Sequence, residues 1–584
     1  MNTEWSLSRG KAIFNFSMRY YTNYDQLLES EAFRSLLERY LKKIEAAPHS
    51  HAAEILDRFF PQEELDQRIA AIRRFVRLLC SMDLREISES LPEYADVYEN
   101  RVALRSAAED FYTYWRRLER YCVLFEDRAG NGLASSYFLT AKSRFDELCL
   151  AFYRQVTRNI SLTDPFVYRQ VHAGTNVGMI CGPVVWPIPH EYTKLSGIPF
   201  IKTLILETPF ITYPRKTTRS GVFREVDANP LERIGINPDH FFCMPIWVGN
   251  LLAYVYVHRD FLTHGIALAN LFEIANEREI AGRKPDLVYI MGGENHREEG
   301  EDIFHYDRTN DIMVGFVSKH EEYDYFGYMK KMVLTLHNVR QIYRGNLPIH
   351  GAFVTVTLKS GKSANVCIMG DSGAGKSESI EAFRKLAADY ISDMTIVFDD
   401  MGTFVLQDNG SIQAYGTEIG AFVRLDDLDS GYAFKELDRS IFMNPDKVNA
   451  RLIVPVSSYE EISRGHSVDL FLYANNYETV DDRHPSVQLF QSKEEAIPTF
   501  LEGKRMTKGT TSEVGLTTSY FANPFGPVQK QEKMKPLIDK YFDVLFTSGV
   551  RVGVLRTQLG IAGHESSGPE EAAKELFRLI QVEG

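Results

Sequence analysis

The chain has 584 residues, 44% apolar and 25% charged, with 66 basic against 79 acidic side chains and a net charge of −13. That length calls for two or three domains of an ordinary globular protein. The acidic balance argues against nucleic acid or an anionic membrane surface as the main partner, because both select a basic face; a local basic pocket around a small anion remains allowed.

No run approaches the ~20 apolar residues of a membrane helix. The start, Met1-Asn-Thr-Glu-Trp5, lacks a basic region followed by an apolar one, so no secretory leader is expected. The six cysteines (Cys80, Cys122, Cys149, Cys181, Cys243, Cys367) are scattered without CxxC spacing and read as buried thiols. A cytoplasmic location is the expectation.

In chain order, residues 24–160 read as helical. Leu27, Leu28, Phe33, Leu36, Leu37 and Leu41 recur at helical spacing, as do Ile69, Ile72, Phe75, Leu78 and Leu79, and then Tyr112, Trp115, Leu118 and Tyr121. Pro61 and Pro92 fit breaks between helices. Residues 1–160 are expected to form an appended all-α domain, packed by its aromatic stripe and available for self-association or a partner.

Beyond residue 160 the apolar runs shorten between Gly and Pro. Strands are expected around Val177–Trp186, Ile198–Leu206, Phe241–Val248, Leu251–Val257 and Asp286–Met291, with a helix over Phe261–Glu277. The carboxylate-rich stretch Glu294–Asp307 reads as a solvated loop. Further strands are expected at Phe353–Leu358, Phe404–Leu406, Leu452–Val456 and Val468–Leu472. Helices are expected at Glu378–Ala388, Glu494–Glu502, Lys533–Phe546 and Pro569–Leu579. The body after residue 160 is mixed α/β.

The chemistry concentrates between Tyr325 and Asp400. Gly370-Asp371-Ser372-Gly373-Ala374-Gly375-Lys376-Ser377 fits the phosphate-loop pattern G-x-x-x-x-G-K-[ST]. The apolar run Ala364–Met369 precedes it and an amphipathic stretch follows it. Such a loop turns backbone N–H groups onto phosphate oxygens at a helix N-terminus. Lys376 then reaches the outer phosphates and Ser377 sets its hydroxyl on a divalent ion. The loop also needs a carboxylate to hold metal. Asp393 is preferred, with Asp399 and Asp400 as alternatives.

Tyr325-Phe-Gly-Tyr-Met-Lys-Lys331, Pro348-Ile-His350-Gly-Ala, the phosphate loop and Asn449-Ala-Arg451-Leu-Ile-Val-Pro455 follow one another in the order of the phosphoenolpyruvate carboxykinase family. Residues 320–460 resemble that family, whose motifs are Tyr-Gly-Gly-Glu-Met-Lys-Lys, Met-His-Cys-Ser-Ala, the loop and Asn-x-Arg-x-x-x-Pro. The resemblance implies a two-lobed α/β body, with a substrate lobe at 161–335 and a nucleotide- and metal-binding lobe at 336–584. It implies Lys331, His350 and Asp393 as ligands of Mn2+, with Lys331 neutral; the adjacent Lys330 charge and the metal both favour that state. It implies Arg451 on the transferring phosphoryl group, Tyr325 on the substrate-carboxylate side and Arg219 gripping substrate.

The loop itself departs from the carboxykinase pattern Gly-x-Ser-Gly-x-Gly-Lys-Thr-Thr. Asp371, Glu378 and the pair His350-Gly351 resemble HPr kinase/phosphorylase instead. The carboxykinases carry consecutive aspartates where this chain has Asp393-Met394, and Lys504, Arg505 or Lys508 stand in for a second substrate arginine. The implied activity is conversion of oxaloacetate and a nucleoside triphosphate (ATP or GTP, with Mg2+ and Mn2+) to phosphoenolpyruvate, carbon dioxide and the diphosphate. Two alternatives stand beside it: a kinase of the HPr type acting on a hydroxyl, and a nucleotide-sensing interaction protein without turnover.

Overall fold

The computed structural model describes residues 3–45, 51–61, 64–126, 134–162, 174–219, 221–295, 300–371, 374–425, 437–507, 515–565 and 567–582. Mixed α/β structure runs through it, in two compact units. One comprises 1–183 with 199–207, the other 184–198 with 208–584. No helix among the described residues is long and apolar enough to cross a membrane.

In the first unit five strands lie in the order Trp5–Ser8, Lys11–Asn15, Glu119–Phe125, Val177–Gly182, Phe200–Leu206. The inner pairs are parallel and the outer pairs antiparallel. Helices Glu31–Glu45, Leu65–Ser81, Arg101–Arg117 and Ala134–Ser161 turn their apolar faces into one shared core. Three of the strands fall within residues 1–160, so the all-α expectation is corrected. Tyr121 keeps helical spacing with Trp115 and Leu118, but the helix stops at Arg117. There the buried Arg120 guanidinium bonds the carbonyls of Trp115 (3.2 Å) and Leu118 (3.0 Å), satisfying the helix end while the backbone extends.

The second unit carries a sheet in the order Phe241–Val248, Leu251–His258, Leu287–Gly293, Ile312–Ser318, Asp302–Asp307, Arg224–Glu225. Asp302–Asp307 is a strand, antiparallel to Ile312–Ser318, where a solvated loop was expected. Ile303 and Phe304 are buried, and pairing satisfies the backbone that the carboxylates obscured in the pattern. The expected helix over Phe261–Glu277 is also corrected. It ends at Ala267, and a new four-residue helix starts at Glu277 behind an Asn276 capping box. Between them Asn270 bonds the carbonyls of Arg439 and Ile453, a tertiary demand that interrupts the helix.

The site is positioned by a second, eight-stranded sheet. Its order is His466–Ser467, Ile412–Gly416, Ile391–Leu406, Leu347–Leu358, Ser363–Met369, Leu470–Asn475, Arg551–Arg556, Val487–Leu489. Alternation sends successive side chains to opposite faces. Val366, Ile368, Leu470 and Leu472 meet helices Lys376–Tyr390 and Ser567–Val582 on one side. Cys367, Met369, Phe471 and Tyr473 meet Lys493–Glu502 and Gln531–Thr547 on the other. Covered on both faces, these strands read as continuous apolar runs. Ser363–Met369, Leu470–Asn475 and Arg551–Arg556 are parallel, so their C-terminal ends share one edge. In sheets of this kind that edge is where ligands bind.

Candidate active site

The expected strand–loop–helix order is present: Ser363–Met369, the loop from Gly370, and helix Lys376–Tyr390. Ser372 and Gly373 lie outside the described residues, as does the side chain of Ser377. Gly375 has φ +106°, and a Cβ there would stand 2.8 Å from the Thr557 hydroxyl, so the turn needs glycine. The Gly370 N–H donates to the His350 carbonyl (3.0 Å), and Ala374 N–H to the Asp371 carbonyl (3.0 Å).

Strand register brings the remaining parts to the loop. Gly351 lies opposite Met369 on one side and Asp400 on the other. A Cβ on Gly351 would stand 2.7 Å from the Ile368 carbonyl oxygen, so the close approach depends on glycine here. His350, Asp400 and the start of the loop therefore meet. Helix Phe326–Tyr343 delivers the lysines; of Phe326 to Ile342 all but Lys331 are buried.

Asp400 is the centre of the cluster. Its Oδ2 receives Lys331 Nζ at 2.6 Å and Lys330 Nζ at 2.7 Å, and its Oδ1 stands 3.0 Å from His350 Nε2. Burial opposes the charge on Asp400, but Lys330 and Lys331 outweigh it and hold the carboxyl well below its usual range. Lys330, fully buried, also lies 3.1 Å from Glu418 Oε2. Burial brings Lys331 down to about 8, against the pull of Asp400, and raises Glu418 to about 7.

Asp393, the preferred carboxylate, is elsewhere. It is exposed near the start of Ile391–Leu406, opposite Thr357. Seven residues of strand separate Thr357 from His350, about 23 Å at roughly 3.3 Å each. The expectation placed Asp393 after a short strand; the strand begins there and continues to Leu406, and it is Asp400, farther along it, that lies beside His350 and the two lysines.

The cluster suits a divalent cation. His350 Nδ1 donates to the Ala522 carbonyl (2.8 Å), because a carbonyl can only accept. That leaves the Nε2 lone pair facing Asp400 Oδ1, two acceptors that only a proton or a cation can reconcile. Burial, with Lys376, lowers the His350 pKa and so favours the neutral ring. Among the described residues no three His, Cys, Asp or Glu side chains converge as a metal site. The donors gathered here are an imidazole, a carboxylate and the Lys331 amine, which has a lone pair to offer only when neutral.

Lys376 is 6% exposed, and its Nζ has no hydrogen-bond partner among the described residues. Its nearest anion is Asp400 Oδ1 at 3.8 Å, and burial lowers its pKa. Asp371 is buried and meets Arg505 at 3.2 Å and His350 Nδ1 at 3.6 Å. Two rings tie in further cations and Tyr325. Phe525 carries Lys331 (4.5 Å) and Arg219 (5.4 Å). Phe422 carries Arg451 (5.1 Å), Lys330 (5.8 Å) and, ring to ring, Tyr325 (6.2 Å). Arg451 Nε is buried without a hydrogen-bond partner among the described residues.

Lys331, His350, Lys376, Arg451, Arg219 and Tyr325 are thus all joined to one centre, and Asp393 alone of the described set is not. Glu418, Phe422 and Phe525 carried no signal in the sequence. Arg505 signalled only as one of three cations, and Asp400 as half of an aspartate pair. No family model matches the chain, and no curated protein matches it.

Proposed function

We propose that this chain is a metal-dependent phosphoryl-transfer enzyme of the phosphoenolpyruvate carboxykinase type, converting oxaloacetate and ATP or GTP to phosphoenolpyruvate, carbon dioxide and the diphosphate. The observation that carries the reading is Lys376, a buried amine whose Nζ has no hydrogen-bond partner among the described residues, beside a carboxylate that gathers His350, Lys330 and Lys331. A buried charge so placed calls for a polyanion.

In this reading the loop N–H groups and Lys376 hold the outer phosphates of the Mg2+-bound nucleotide. Arg451 neutralises charge on the phosphoryl group in flight. Arg219 grips a carboxylate of oxaloacetate, with Tyr325 on the same side. His350, Asp400 and Lys331 would hold Mn2+, which would supply positive charge to stabilise the developing enolate. Lys330 holds Asp400 ionised throughout. The unit from 208 onward supplies both substrate-side and nucleotide-side residues.

Asp371 favours a second reading, a hydroxyl kinase of the HPr type. The residue that sets this loop apart from the carboxykinase pattern is engaged with Arg505 and His350 rather than with solvent. Lys331→Ala separates the possibilities in a coupled assay with oxaloacetate, Mn2+, Mg2+ and each donor. Loss of decarboxylation with nucleotide binding retained supports the carboxykinase. Kinase turnover unchanged by the substitution supports the alternative, and nucleotide binding without any turnover supports a sensor.

A further inference from the structure

Arg219 and Tyr325 stand far apart in the chain, and Asp324 joins their segments. Asp324 adjoins Tyr325. Its carbonyl accepts the Lys216 N–H (3.1 Å), and its Oδ2 accepts the Arg215 N–H (3.2 Å). The Arg215 guanidinium also pairs with Glu321, on the same approach to helix Phe326–Tyr343. The backbone leading to Arg219 is thus fastened to the backbone leading to Tyr325. Just beyond, Arg219 rests on the rings of Phe223 (5.0 Å) and Phe525 (5.4 Å).

The other oxygen of Asp324 is set by a histidine. His264 Nε2 donates to Asp324 Oδ1 (2.9 Å), because an ionised carboxylate only accepts. His264 is 1% exposed and belongs to Leu262–Ala267, a helix whose residues are all buried. Its ring lies near those of Phe261 (6.2 Å) and Phe326 (6.3 Å). Its Nδ1 has no hydrogen-bond partner among the described residues. A buried polar atom left bare costs stability, so an apolar side chain would serve packing better at this position. What the imidazole adds is its bond to Asp324, made from a buried helix.

We infer that His264 and Asp324 are positioning residues for the substrate arginine. The imidazole fixes the carboxylate, the carboxylate fixes the backbone at Arg215 and Lys216, and Arg219 is thereby held where it grips a carboxylate of the substrate. This rests on the substrate-side role of Arg219 in the proposed reaction. Neither residue needs to touch substrate. A gripping group displaced by about 1 Å loses much of its effect, so a break in this relay is felt at the substrate carboxylate and not at the phosphate loop.

Malonate, a dicarboxylate without the keto group, tests this on the full chain by titration calorimetry without metal, with ATP titrated separately. His264→Leu and Asp324→Ala should weaken malonate by about tenfold or more and leave ATP within about twofold. His264→Gln, whose amide N–H can replace that of Nε2, should recover malonate affinity to within about threefold. Hydrogen exchange should show the Arg215 and Lys216 amides opening faster in the first two variants, with circular dichroism confirming their fold. A chain that binds malonate but forms no phosphoenolpyruvate would overturn the proposed reaction and leave this inference standing. No malonate binding by the unsubstituted chain, unchanged malonate affinity in folded His264→Leu, an equal loss of ATP affinity, or no recovery in His264→Gln would overturn the inference itself.

Discussion

Lys376 Nζ stands 3.8 Å from Asp400 Oδ1, too far for a hydrogen bond, while Lys330 and Lys331 both reach Asp400 Oδ2 within 2.7 Å. Among the described residues Lys376 Nζ thus has no hydrogen-bond partner, where its two neighbouring lysines are both engaged. Its substitution should separate binding from folding. Lys376→Met removes a desolvated charge, so the unliganded chain should keep its stability or gain about 1–3 kcal/mol. Its nucleotide affinity should fall tenfold or more. Thermal unfolding with and without nucleotide reads both effects.

Asp400 and Asp393 should behave oppositely. Asp400→Asn leaves Lys330, 1% exposed, with Glu418 as its remaining anion, and should cost about 3 kcal/mol as well as activity. Asp393→Asn, on an exposed site of the same strand, should stay within about 0.5 kcal/mol and leave turnover unchanged. Urea unfolding and initial rates on the two variants check the pair.

How far this site was legible in the sequence follows from the same strand. The loop, the Lys330-Lys331 pair and His350 announce themselves by spacing, because each is a local feature of one helix, strand or turn. Which aspartate joins them is a question of register. Asp393 and Asp400 lie on one strand, and only its pairing with Leu347–Leu358 sets Asp400 beside Gly351. Glu418 comes from another strand connection altogether and carries no local pattern. The first unit shows the same limit. Helical periodicity is real up to Arg117, but Glu119–Phe125 becomes a strand because parallel neighbours on both sides bury it.

Metal affinity should depend on pH through Lys331. Its folded pKa is lowered to about 8, and it ligates only as the neutral amine. Mn2+ affinity should rise about tenfold per pH unit up to 8 and flatten above it. Lys331→Met should bind weakly and without that slope. Titration calorimetry between pH 6.5 and 9 measures it.

Glu418 should leave a mark on stability. Burial raises it to about 7 in the folded chain from an ordinary value near 4.5. A raised acid contributes its stabilising share fully below the unfolded value, and loses it as pH rises toward the folded one. Stability should therefore decline between about pH 4.5 and 7 from this group. Glu418→Gln should remove that part of the decline in denaturant midpoints taken across the same range.

The central claim is that this cluster carries phosphoryl transfer to the enolate of oxaloacetate. The most direct measurement is ³¹P NMR of the purified chain with oxaloacetate, Mn2+, Mg2+ and ATP or GTP. The account predicts an enol-phosphate resonance growing with the diphosphate, absent with Lys376→Met and with Lys331→Ala. No enol phosphate from either donor, with the nucleotide demonstrably bound, would contradict it.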